Sequence, residues 1–159
     1  MKKAIISIGI ILFLTGVWQL WAADKQKTKE TPVGIWKTID DKTHDVTSKV
    51  QIWKSKEGAL YGRIIQLYPE PDEDPDPVCD KCKGRYKDKK ILGMVILWGF
   101  SQDEEDTERY WVKGKILDPD NGKIYSCKMT VNDGGKSLEV RGYVGISLLG
   151  RSQTWIRVR

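Results

Sequence analysis

Lys123-Ile124-Tyr125-Ser126-Cys127-Lys128-Met129-Thr130-Val131-Asn132, Asp133-Gly134-Gly135, then Lys136-Ser137-Leu138-Glu139-Val140-Arg141-Gly142-Tyr143-Val144 is the stretch whose pattern decides the fold. Tyr125, Cys127, Met129 and Val131 share one face against Ser126, Lys128 and Thr130, and Leu138, Val140 and Val144 oppose Glu139 and Arg141. A period of two marks a half-buried strand, and the Asn-Asp-Gly-Gly between the runs tolerates positive φ, so the stretch predicts an antiparallel hairpin. Working outward, the turn Asp118-Pro119-Asp120-Asn121-Gly122 leads back to Glu108–Leu117, where Tyr110, Val112 and Ile116 oppose Arg109, Lys113 and Lys115.

The same character extends to both ends. Val33–Asp40, Ser48–Lys54, Leu60–Tyr68, Ile91–Phe100 and Ser152–Val158 bring the runs of strand length to eight, and none has helical spacing. Ile91–Phe100 is apolar on both faces, so alternation does not assign it. Short hairpin turns such as Glu57-Gly58 imply an all-β meander, and closure into an antiparallel up-and-down barrel of about eight strands hides the edges an open sheet would expose. Composition agrees. In 159 residues, 40% apolar and 31% charged, seven Trp and six Tyr against two Phe with 15 scattered Gly suit one sheet domain and exclude collagen, coiled coil and wholesale disorder.

Residues 1–23 read as an export signal outside the fold. Met1-Lys2-Lys3 is a positive start, Ala4–Val17 is apolar apart from Ser7 and Thr15, and small Ala22 and Ala23 precede Asp24. The same run approaches bilayer-spanning length, so an uncleaved anchor is the alternative; either way the domain at 32–159 leaves the cytoplasm for the periplasm or the exterior. Residues 24–31 form a polar linker whose Lys25, Lys27 and Lys29 suit weak attraction to an anionic membrane surface. Cleavage takes the net charge from +5 to +3, and with bases and acids interleaved and no nucleic-acid-binding signature, nucleic acid is not an expected partner.

The longest connection, 69–90, is acidic, rich in Pro, and carries Cys79-Asp80-Lys81-Cys82. Asp72, Asp74 and Asp76 have the alternate spacing of a calcium loop, but Pro77 stands where an EF-hand needs Gly, so a solvated loop is the expectation. In an oxidising compartment Cys79 and Cys82 should form a local disulfide and Cys127 stay a reduced, buried thiol. Zinc held by the three Cys with His44, and a redox-active pair, are the alternatives.

Pro32-Val33-Gly34-Ile35-Trp36, Gly93-Met94 with Ile96-Leu97, Asp118-Pro119-Asp120-Asn121-Gly122-Lys123-Ile124-Tyr125, Leu138–Tyr143 and Gly150-Arg151-Ser152-Gln153-Thr154-Trp155-Ile156-Arg157 together resemble the exported bacterial family called domain of unknown function 2147. The resemblance runs from Pro32 to Arg157 and implies a lipocalin-like (calycin-type) barrel without an established activity. It also implies a structural closure of the barrel, in which the Gly34-x-Trp36 of the first strand lies at the base and Arg157 of the last covers the indole; Arg159, on the same strand face by alternation, is the neighbouring candidate. The Cys-x-x-Cys pair belongs, on this resemblance, to only some members.

Catalytic signatures are missing from the sequence. His44 is the single histidine, in a polar turn, and no Gly-x-Ser-x-Gly, His-Glu-x-x-His or phosphate-binding glycine loop is present, so neither an enzyme nor a resident metal or cofactor is expected. The leading expectation is a non-enzymatic barrel holding a small apolar or amphipathic molecule such as a lipid, walled by Ile52, Ile64, Tyr110, Val112, Tyr125, Met129 and Val140. No inward charge is evident, although a one-residue slip would turn Arg63 or Arg141 inward and favour an acidic lipid. The other readings are a solidly packed envelope domain that meets a protein partner, and thiol chemistry at Cys79 and Cys82. Oligomeric state is not encoded in any of these patterns.

Overall fold

The structure, a computed structural model, describes residues 30–105 and 109–158. Among them eight strands follow in order, β1 (Gly34–Ile39), β2 (Val46–Lys54), β3 (Leu60–Leu67), β4 (Val95–Gln102), β5 (Tyr110–Asp118), β6 (Lys123–Asn132), β7 (Ser137–Tyr143) and β8 (Gly150–Arg157). Each pairs antiparallel with the next, and β8 returns to β1 through Trp36 opposite Arg157 and Lys37 opposite Ile156, closing the barrel. The all-β up-and-down expectation is therefore met. The expected signal segment, the linker up to residue 29, Glu108 and Arg159 lie outside the described residues.

Two departures from simple alternation shape the interior. Lys113 takes φ 63° and the β5–β6 register shifts between Trp111 and Gly114, so one extra residue separates the inward positions on β5. Ile116 and Gly114 face Tyr125 and Cys127 across the strand pair, but beyond the bulge it is Trp111 that opposes Met129. Tyr110 and Val112, expected inside, are thus outside, with Tyr110 exposed and Trp111 buried. The second departure is in Ile91–Phe100, whose first part is a turn. Ile91 N–H donates to Pro77 O, and Gly93, at φ 86°, donates to Ile64 O, so β4 begins only at Val95. Gly114 is required by a close approach, because a Cβ there would collide with the Phe100 ring.

The barrel has a full end and an open end. β1 and β8 enter and leave at the full end, where Trp36, Val50, Ile52, Leu60, Phe100, Trp111, Met129, Val131 and Leu138 are buried together. Burying large side chains in contact is the main stabilising contribution, about 1.5–3 kcal/mol for each. Towards the other end Thr38 and Ser48 join the inward residues and the interior opens.

Candidate functional site

Closure of the full end is built from Gly34, Trp36 and Arg157. The Arg157 guanidinium carbon sits 4.1 Å from the Trp36 ring centroid, and the indole Nε1 donates to Pro32 O at 2.7 Å. Arg157 Nη1 donates to Val33 O at 2.9 Å, Nη2 to Thr31 O, and Nε to Gly135 O. One side chain thereby ties the segment before β1, the β6–β7 turn and the last strand. Gly34 has φ 147°, and a Cβ there would collide with the guanidinium, so the glycine makes room for the arginine. Charge-assisted bonds to three carbonyls satisfy a cation that has given up water.

The open end holds a cavity of about 1000 Å³. Its apolar wall comes from Ile64, Ile96, Ile116, Val140 and Trp155, and its polar positions from Thr38, Ser48, Tyr125 and Gln153. Thr38 Oγ1 bonds Thr47 Oγ1 at 2.7 Å and Ser48 Oγ at 2.8 Å, which satisfies these hydroxyls without a ligand. Gln153 Oε1 accepts from Trp155 Nε1 at 3.3 Å, and the Tyr125 hydroxyl accepts from Asn121 Nδ2 at 3.1 Å. A mostly apolar concavity with a few placed polar groups, at the upper end of the usual size range, is the ordinary form of a small-molecule site.

Loops make the rim. Asp40 accepts backbone N–H bonds from Lys42 and Thr43 at 2.7 and 2.9 Å, and these bonds, with Thr43 the larger influence, hold its carboxyl below the ordinary value. Asp118 caps the β5–β6 turn by accepting from Asp120 N–H and Asn121 Nδ2. Loss of surrounding water, then the neighbouring Asp118 charge, pushes the Asp120 carboxyl above its ordinary value. The β7–β8 connection is different in kind, with Val144, Ile146, Leu148 and Leu149 between 62% and 80% exposed.

The long 69–90 connection folds back onto that rim. Cys79 and Cys82 form a disulfide and both are buried, with Cys79 Sγ 3.3 Å from Pro119 O and Lys81 Nζ donating to Asp120 O at 2.9 Å. Gly122, at φ 69°, is pressed against the Lys81 carbonyl, where any Cβ would collide. The disulfide takes two of the three thiols from the zinc alternative, and no three His, Cys, Asp or Glu among the described residues are grouped to hold a metal ion. Cys127 is free and buried, and burial pushes its thiol up to about 12. Of the acidic spacing, Asp76 is paired with Lys90 at 2.5 Å and Asp74 accepts the Asp76 N–H, as in a solvated loop.

The profile of a bacterial family described as "Uncharacterized protein conserved in bacteria (DUF2147)" matches residues 34–157, the whole of the barrel. The chain belongs to that family. Among solved structures, protein HP1028 from the human pathogen Helicobacter pylori, described as belonging to the lipocalin family, superposes with a TM-score of 0.65 at 20% identity, covering 80% of this chain and 82% of that one. No curated protein matches the chain. The lipocalin-like architecture expected from sequence is thereby shown for this DUF2147 member, and the likeness extends to the fold.

Against this cavity the sequence-derived wall divides. Ile64, Tyr125 and Val140 line it. Ile52 and Met129 are buried in the full end below it. Tyr110 and Val112 lie on the outer surface because of the bulge at Lys113. Trp155, Ile96 and Ile116 are wall residues that the ligand-site reasoning omitted; period two in Gln153-Thr154-Trp155 would have indicated the first. Arg63 and Arg141 point outward, Arg63 onto Gln51 Oε1 and Arg141 onto Ser147 O and Ser152 Oγ, so no slip brings their charge inside.

Proposed function

We propose that this DUF2147 member is an exported, non-enzymatic barrel that binds a small apolar or amphipathic molecule such as a lipid, with Ile64, Tyr125 and Val140 among the residues that touch it. The observation that carries this reading is the cavity of about 1000 Å³ above the packed end of the barrel, lined by Ile64, Val140 and Trp155 and open at its mouth. Membership of a bacterial family and the Cys79–Cys82 disulfide support export, since such bonds persist in oxidising compartments. The calycin-type fold supports binding by analogy of architecture.

Native mass spectrometry tests it. Protein purified from the extracytoplasmic compartment, or incubated with a phospholipid or a neutral long-chain amphiphile, should carry an added mass of lipid size that denaturation removes. Bare chain in both preparations would overturn the reading. The exposed Val144, Ile146, Leu148 and Leu149 favour a second reading, an envelope domain that meets a protein or membrane partner through this loop. Cross-linking from Leu148, followed by identification of what it captures, separates that reading from a barrel that works alone.

A further inference from the structure

The inference rests on the cavity reading above and concerns the charge of the occupant. The mouth is lined by seven carboxylates against two cationic side chains, Lys42 and Arg151, on a chain whose overall charge is +5. Arg151 is already engaged, its Nε donating at 2.8 Å to Asp41, which lies outside the lining. Among the described residues, none of the seven carboxylates is in an ion pair. Asp40 and Asp45 come from the β1–β2 loop, Glu73 from the β3–β4 loop, Asp118 from the end of β5 and Asp120 from the turn that follows it, so three connections converge with one sign. They lie close enough to act on one another: Asp118, Glu73 and Asp40 raise the Asp120 carboxyl, while Lys81, bonded to the Asp120 carbonyl, lowers it. The fourth side of the mouth is the apolar β7–β8 loop with Val144 and Leu149.

We propose that the ligand is an amphiphile with a cationic head, an ammonium or guanidinium group on an apolar tail, its tail against Ile64, Ile116 and Val140 and its head among the carboxylates of the rim. Seven like charges that Lys42, Lys81 and Arg151 offset only in part leave the mouth net negative, a cost in free energy that an entering cation relieves and an anionic head would add to. The cavity selects the tail and the rim selects the sign. A free small cation gains only the rim, which is exposed to water and salt, so both parts are needed for tight binding.

Displacement of the neutral fluorescent probe N-phenyl-1-naphthylamine tests this at low salt, with dodecyltrimethylammonium, dodecanoate, dodecanol and tetramethylammonium as competitors below their micelle concentrations. Dodecyltrimethylammonium should bind about tenfold or more tighter than dodecanoate, with dodecanol between them and the gap narrowing as salt rises. Tetramethylammonium should displace nothing. Asp45→Asn combined with Asp120→Asn should shrink the cationic preference and leave dodecanol binding intact; neither carboxylate is hydrogen-bonded among the described residues, so the fold does not depend on them. Equal binding of the two charged chains, or a preference for dodecanoate, overturns the cationic head while the cavity reading stands. Displacement by tetramethylammonium as effective as by the long chain overturns the amphiphile in favour of a rim cation site. If neither the probe nor any long chain binds, the cavity reading fails and this inference falls with it.

Discussion

Arg157 shows how a single side chain can do the work of a strand edge. It covers one face of Trp36, satisfies three carbonyls, and spans the β1–β8 seam where only two residue pairs are in register. Arg157→Ala removes the cation–π contact, the aliphatic packing and the carbonyl partners together, and should lower unfolding stability by about 1–3 kcal/mol. A urea midpoint equal to that of the unmodified protein would show that the seam holds without it. Asp120 works in the opposite direction. Its folded value is raised above 3.8 by lost solvation and then Asp118, with Glu73 and Asp40 adding and Lys81 opposing, so the folded state holds that proton more tightly than the unfolded chain. Its stabilising contribution is complete below the ordinary carboxylate value and is lost as pH rises through the raised one. Asp120→Asn should therefore raise the thermal midpoint at neutral pH, with the gain vanishing near pH 3, as melting curves at several pH values would show.

Element by element, the hairpins were readable because three physical signals coincide in them: period two, β-branched and aromatic residues, and turns able to take positive φ. Lys123–Asn132 is β6 at both ends, and Gly122 and Gly134 sit at φ 69° and 61° in the turns that sequence marked. Position β5 was not readable, because Tyr110, Trp111 and Val112 are all acceptable on either face and a bulge leaves no compositional trace. The inversion cost the site two of its expected residues. Ile91–Phe100 failed for another reason: its apolar residues serve both a turn that packs under the 69–90 loop and a strand, and hydrophobicity alone does not separate the two. Lys113 at φ 63° is strained relative to glycine. Lys113→Gly should hold stability level or raise it by up to about 1 kcal/mol, while Lys113→Val should lower it, because a β-branched residue resists the left-handed region that the bulge requires. Denaturant titration of the pair reads the difference; equal losses in both would remove the bulge from the account.

At the scale of the whole molecule, a barrel packed at one end and hollow at the other reconciles readings that sequence left as alternatives. The same eight strands supply both a solid core around Trp36 and Met129 and an open chamber above Trp155, so cavity and packed interior are two halves of one fold. What sequence reasoning could not place was the boundary between the halves, since Ile52 and Ile64 lie on one face of adjacent strands and differ only in depth. The rim charge was hidden in the same way, because Asp40, Glu73 and Asp120 are far apart in the chain and meet only through closure. Val140 lies on the cavity wall in β7, and indole bulk at that position should fill the space a tail would occupy. The most direct measurement is equilibrium binding of N-phenyl-1-naphthylamine to the unmodified protein and to Val140→Trp, with circular dichroism showing that both are folded. Saturable binding at one site per chain is expected in the first and its loss in the second; undiminished binding by folded Val140→Trp would put the site outside the barrel.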